Sequence, residues 1–154
     1  MRRTDKEIID INVMEGIIIK AQICRVALCD NGVPYIVPLN FGYCDRVVYA
    51  HCAPVGRKLE IIKANNTVCV EFESNTELVT SESACKWTMR YYCVLGFGHA
   101  TIITEPIEKK AALDCIMKHY SDQTFEYDSV SFDKIMVIRI DLDTMTGKAS
   151  GYKL

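Results

Sequence analysis

Three stretches of the sequence combine residue types that can hold or transform a small molecule. The first, Pro34-Tyr35-Ile36-Val37-Pro38-Leu39-Asn40-Phe41-Gly42-Tyr43, is an apolar strand-like run broken by two prolines, an Asn and a Gly. Proline has no backbone N–H, so such a run is an edge strand, a bulge, or backbone that faces something other than a strand. Backbone groups freed in this way can hold a planar heterocycle with donors and acceptors on its rim, and Asn40 adds one of each. An ordinary edge strand with a Pro-induced bulge accounts for the same residues. The second stretch, His51-Cys52-Ala53-Pro54-Val55-Gly56-Arg57-Lys58, reads as a strand end, a small-residue loop and a helix start bearing two cations. Free N–H groups and the positive dipole end of a helix attract an anion such as phosphate, with Arg57 as a fork of donors and Lys58 as a point charge. A solvated Arg-Lys pair is the plainer account, although cations at a helix N-terminus oppose the dipole and call for an anion nearby.

The third stretch, Trp87-Thr88-Met89-Arg90-Tyr91-Tyr92-Cys93-Val94-Leu95-Gly96-Phe97-Gly98, holds the only Trp and an isolated Arg on an aromatic strand. Trp and Arg are enriched at the centres of interfaces, and an Arg there can reach an anion bound by a neighbouring subunit. A core strand whose aromatics fill a barrel fits as well. Gly96 and Gly98 fit a bend or a close backbone approach. His51 can donate a proton or be a structural His, while His99 and His119 have no supporting context. The sequence contains no Gly-x-Ser-x-Gly, P-loop or Gly-x-Gly-x-x-Gly pattern, so hydrolase, P-loop and Rossmann chemistry lack their minimum evidence.

These stretches must be positioned by a mainly β scaffold. Thr4 and Glu7 form a capping-box pattern that predicts a short N-terminal helix, and Ile17-Ile18-Ile19-Lys20-Ala21 beyond Gly16 continues it or forms a second one. Asn31-Gly32 supplies the positive φ angles of a tight turn, so residues 24–42 read as a hairpin. A strand over 46–51, a helix over 56–63, a strand over 68–73, a polar loop over 74–83 and a long strand over 86–104 follow. Pro106 suits the first turn of a helix whose face is Leu113, Ile116, Met117 and Tyr120. A loop over 121–133 and a strand over 134–142 precede a Gly-containing tail. About six antiparallel strands without a βαβ rhythm indicate a β-barrel with flanking helices in one domain, residues 1–154.

Composition narrows the function classes. The chain is 49% hydrophobic and 25% charged, the proportions of a folded globular protein. Eighteen Lys and Arg against twenty Asp and Glu, with no basic run, argue against nucleic acid as a partner. The sequence shows no secretory signal and no apolar run near the roughly 20 residues that cross a bilayer. A cytoplasmic location with no membrane partner is therefore expected. That setting favours reduced thiols at the eight cysteines over a disulfide framework. There is no Cys-x-x-Cys and no His-x-x-x-His, and only His51-Cys52 sets two metal ligands side by side, so no metal is expected.

In order and spacing, these stretches resemble the FMN-binding split-barrel family related to pyridoxamine 5′-phosphate oxidase, and more closely its nitroimidazole-resistance branch. The resemblance rests on Met1-Arg2-Arg3 with Asp5-Lys6-Glu7-Ile8, on Pro34 to Tyr43, on His51 to Lys58, on Trp87-Thr88-Met89-Arg90 with Gly96, and on Met145-Thr146-Gly147-Lys148. It implies a split β-barrel homodimer with FMN at the interface. Pro38, Leu39 and Asn40 would face the isoalloxazine ring. The loop from His51 through Ala53 and Gly56 to Arg57 and Lys58 would enclose the phosphate, and Trp87 and Arg90 would come from the partner subunit. Lys148 would lie near the flavin. The ending Lys148-Ala149-Ser150-Gly151-Tyr152-Lys153-Leu154 lacks the Arg-and-Pro substrate segment of true pyridoxamine phosphate oxidases, which argues against vitamin B6 oxidation. The branch implies electron transfer from reduced FMN to a small aromatic acceptor such as a 5-nitroimidazole, with His51 as the catalytic candidate. A flavin-sensing protein without turnover and a haem-binding split barrel are the alternatives.

Overall fold

The computed structural model describes residues 3–152. Asn31 and Gly32 take φ of 49° and 87°, which turns the chain tightly between β2 (Cys24–Asp30) and β3 (Val33–Leu39). Around this hairpin the described residues form β1 (Glu7–Ile8), α1 (Ile11–Lys20), β4 (Gly42–Cys44), β5 (Val47–Cys52) and α2 (Arg57–Ala64). They continue with β6 (Thr67–Val79), β7 (Thr88–Ile103), α3 (Pro106–Tyr120), α4 (Ser129–Asp133) and β8 (Met136–Ser150). The eight strands make one antiparallel sheet in the order β3-β2-β6-β7-β8-β5-β4, with β1 added to β8. The two ends of this path, β3 and β4, are joined by Asn40 and Phe41 alone, so the sheet must curl until its ends meet. This is the mainly β barrel with flanking helices that the consecutive antiparallel strands imply, and the split barrel that the family resemblance implies.

Alternation along the strands fills the barrel. Cys24, Val26 and Leu28 of β2, Val68, Val70 and Phe72 of β6, and Ile138 and Ile140 of β8 are buried in one cluster. α1 covers it with Met14, Ile17 and Ile18, each such burial contributing about 1.5–3 kcal/mol. Phe41 is fully buried, 5.1 Å from the Phe72 ring and 4.3 Å from that of His119. A second cluster, Ile103, Ala112, Leu113, Ile116 and Val137, packs α3 on the outside. Pro106 opens α3, where Glu105 accepts a hydrogen bond from the Glu108 N–H at 3.0 Å.

Six expectations are corrected. Thr4–Lys6 is a 3-10 turn rather than the start of a helix, and Glu7 leaves it to pair with Lys148 on β8. The cap of α1 is Asp10, whose Oδ1 accepts from the Asn12 N–H at 2.8 Å, and α1 runs unbroken through Gly16. Residues 74–79 continue β6 instead of forming a loop, across an irregularity between Ser74 and Glu77 where Asn75 takes φ 55°. The tail around Thr146-Gly147-Lys148 is likewise strand, because β8 keeps pairing with β7 as far as Ser150. Residues 121–133 include the short α4, and the strands number eight rather than six. Met1 and Arg2 of the N-terminal motif, with Lys153 and Leu154, lie outside the described residues.

Candidate flavin-binding seam

The barrel is split where its end strands, β3 and β4, come together without pairing. β3 pairs only with β2, and β4 covers β5 only from Val47 to Tyr49, leaving Ala50, His51 and Cys52 of β5 open on that side. The β4–β5 pairing ends at Gly42↔Tyr49, two residues before Asn40 on one side and His51 on the other. Further along the chain, the Arg57 guanidinium lies over the Tyr35 ring of β3, 5.0 Å from its centroid. The six residues from Tyr35 to Asn40 offer about 17 Å of unpaired edge. The prolines at 34 and 38 are therefore tolerated because β3 is an edge strand.

The seam holds the first two sequence stretches together. Asn40 is exposed but rigidly placed, since the next residue, Phe41, is buried and its N–H donates to the Tyr120 hydroxyl at 3.0 Å. That hydroxyl in turn donates to the Gln22 carbonyl at 2.8 Å. Pro38, His51, Ala53 and Gly56 are exposed, Leu39 half-buried. Gly56 precedes α2 at φ 142°, a conformation that side chains strain, and nothing lies within 4 Å of where its Cβ would be. α2 buries Leu59, Ile61 and Ile62, which fixes its first turn at the seam with no side-chain cap. Arg57 makes a loose contact to Asp30 at 3.3 Å. Lys58 is half-buried and pairs with no acid among the described residues. Burial pushes the Cys52 thiol up, and the ammonium of Lys58 draws it partly back, which sets Lys58 beside the end of β5.

The third stretch lies elsewhere in the chain. Residues 74–90 of β6 and β7 project as an arm beyond Phe72, which faces Cys24, whereas Arg57 sits at the Asp30 end of β2. Those two ends of β2 are about 20 Å apart. On the arm, Trp87 is 51% exposed and donates from Nε1 to the Ser81 carbonyl at 2.6 Å. Arg90 lies 3.6 Å from Glu77 and 5.9 Å from the Tyr152 ring. Lys148 donates to the Tyr91 hydroxyl at 2.9 Å and is seven residues past the last β5 pairing of β8. Within one chain Arg57 meets β3 at Tyr35, while Trp87, Arg90 and Lys148 lie on or beside the arm at the far end of β2.

Sequence reasoning missed Tyr35 as the platform for Arg57, and the signal was its place one residue after Pro34 on an edge strand. It also missed the outer sheet face. Ile36, Ala27, Cys69, Phe97 and Thr144 stand in one row across β3, β2, β6, β7 and β8, with Ile36 61% and Phe97 46% exposed. All eight cysteines are free, and burial raises the Cys24 thiol to about 12 and that of Cys93 to about 11. Among the described residues no group of three or more His, Cys, Asp or Glu is arranged to hold a metal. No helix among them is long and apolar enough to cross a membrane.

The family profile for pyridoxamine 5′-phosphate oxidase matches residues 13–149. A candidate 5-nitroimidazole antibiotic resistance protein from Bacteroides thetaiotaomicron is 37% identical, with a TM-score of 0.83 over 93% of this chain and 86% of that one. The flavocytochrome Anf3 from Azotobacter vinelandii superposes with a TM-score of 0.84 at 18% identity, covering 99% of this chain and 72% of its own. An FAD and haem binding protein from Mycobacterium smegmatis does so with a TM-score of 0.84 at 16% identity, covering 96% and 74%. At those lower identities the likeness is one of fold. No curated protein matches the chain.

Proposed function

The chain belongs to the pyridoxamine 5′-phosphate oxidase family, and from that membership we propose that it is a homodimeric flavoprotein holding FMN along the seam of each barrel. In this reading it is an oxidoreductase whose acceptor is a small aromatic molecule such as a 5-nitroimidazole, the drug class named for its 37%-identical relative. The observation that carries the reading is the seam itself. Unpaired edge backbone, the outward Asn40 amide, open space at Gly56 and an acid-free Lys58 form a linear series of donors ending in a cation.

These residues fit a flavin mononucleotide. Lys58, Arg57 and the uncapped N–H groups of α2 would hold its phosphate. Pro38, Leu39 and Asn40 would hold the ring edge through backbone groups and the amide. Bound flavin supplies hydride or single-electron transfer, and the protein supplies placement and electrostatics. His51, exposed on the open end of β5, is the group that would give a proton to an acceptor or orient it. Trp87, Arg90 and Lys148 reach the ligand from the second subunit, because their own chain holds them away from its seam. The exposed row from Ile36 to Phe97 supports that pairing.

The test is the absorption spectrum of the purified protein with and without added FMN, followed by anaerobic reduction and a nitroimidazole pulse. Stoichiometric flavin that bleaches and then reoxidises on the pulse is the expected result. Bleaching without acceptor-dependent recovery indicates a flavin carrier or sensor, a Soret band indicates haem, and failure to bind FMN overturns the cofactor assignment.

A further inference from the structure

Arg57 is the first residue of α2, and its side chain crosses from the helix to the β2–β3 hairpin. The guanidinium lies 5.0 Å from the centroid of the Tyr35 ring on β3, and its Nη2 donates to Oδ2 of Asp30, the last residue of β2, at 3.3 Å. Tyr35 stands opposite Leu28 and packs against the core, so its ring is a fixed platform rather than a mobile side chain. Lys58, the next residue, pairs with no acid among the described residues. Two adjacent cations are thus held in opposite ways, one fixed on two sides and the other unpaired.

The stability of α2 does not explain this arrangement. A cation in the first turn of a helix opposes its dipole, and an ion pair as exposed as Arg57–Asp30 adds little. Asp30 accepts from one of the five guanidinium N–H groups and the ring face takes none, which leaves Arg57 anchored with donors to spare. A guanidinium is a planar fork that grips two phosphate oxygens only in a set orientation, whereas an ammonium is a point charge on a flexible stem that follows an anion wherever it lies. Fixing the fork and leaving the ammonium unpaired is an arrangement that discriminates between anions as well as attracting them.

We propose that Tyr35 and Asp30 are positioning residues that hold Arg57 across the space between α2 and the hairpin, and that Arg57 so held selects a flavin ending in a monophosphate, FMN, over one that continues into a dinucleotide, FAD. The proposal rests on the flavin reading above and goes beyond it in naming what sets the choice of cofactor. FMN terminates in a phosphate monoester, whose free oxygens suit the fork. In FAD the same phosphorus is bridged to a second phosphate and an adenosine, which must pass where the Arg57 side chain lies. Lys58 serves both ligands, since a point charge does not distinguish a terminal phosphate from a bridged one. Without the Tyr35 ring or the Asp30 carboxylate, Arg57 regains the rotamer freedom to swing aside, and the distinction fades.

Titration of the full chain with FMN, FAD and riboflavin, followed by quenching of flavin fluorescence, tests the assignment through the ratio of FMN to FAD affinity. The parent should favour FMN about tenfold or more. Tyr35→Leu should reduce that ratio about two- to fivefold, the worth of one exposed cation–π contact, and leave riboflavin, which has no phosphate, bound as before. Tyr35→Phe keeps the ring and should keep the ratio. Asp30→Ala should also reduce the ratio, although removing the carboxylate draws both phosphates more strongly, and it carries the test if Tyr35→Leu does not fold. Lys58→Ala should weaken FMN and FAD alike and leave the ratio as it is. A parent that binds no flavin overturns the flavin reading and this proposal with it. A parent that binds FMN and FAD equally, or a ratio that survives either Tyr35→Leu or Asp30→Ala in a folded protein, overturns the proposal and leaves the flavin reading standing.

Discussion

Gly96 and Gly98 show how much a single residue type can conceal. In the sequence they form one Gly-Phe-Gly signature of a bend or close approach, and the two positions are indistinguishable. In the fold, a Cβ on Gly98 would lie 1.8 Å from the Asp141 carbonyl oxygen, which is backbone of the neighbouring strand and cannot move aside. A Cβ on Gly96 would meet only the Leu142 methyls at 2.9 Å, and these can rotate away. Gly98→Ala should therefore destabilise the protein by at least about 3 kcal/mol and Gly96→Ala by about 1 kcal/mol or less. Urea unfolding of the two variants would show it, and equal midpoints would contradict the account. The exposed position of Asn40 was legible for a better reason: a polar residue two positions after Pro38 marks the end of an apolar edge strand. Tyr35 was not, because a tyrosine on a strand is unremarkable until an arginine from another element is seen above it.

Among the elements, the β2–β3 hairpin was readable because Asn31-Gly32 leaves the chain one economical conformation. The boundaries that failed share a physical cause. β6 and β8 continue into polar or Gly-containing residues because β7, joined on β8 by β1, holds them there through backbone hydrogen bonds, which require no apolar alternation. The N-terminus misled in another way, since Thr4 and Glu7 have the capping-box spacing while the helix is capped at Asp10. Asp10→Ala should remove the 2.8 Å bond to the Asn12 N–H and destabilise the fold by about 1 kcal/mol. Thr4→Ala should have no measurable effect on α1. A larger loss at Thr4 than at Asp10 in thermal melts would restore the sequence-based assignment.

For the whole molecule, the division of the site is the central fact. The residues proposed to hold the flavin lie on the seam, and Trp87, Arg90 and Lys148 lie on or beside an arm at the far end of β2. No alternation or spacing could show this, because it depends on which end of a strand each stretch occupies. It makes assembly and cofactor binding separable in one direction only. Phe97→Glu places a charge in the middle of the exposed row that includes Ile36 and Cys69, on a residue 46% exposed and therefore tolerant of change in the isolated chain. That variant should elute as a folded monomer and lose FMN with its dimer contacts. Lys58→Ala removes only the cation at the head of α2, so it should stay dimeric while its FMN affinity falls roughly 10- to 100-fold, the worth of one charge-assisted contact. Light scattering and flavin titration on both variants decide between the alternatives. A monomeric Phe97→Glu protein that binds FMN as tightly as the parent would place the whole site within one barrel and remove Trp87 and Arg90 from it.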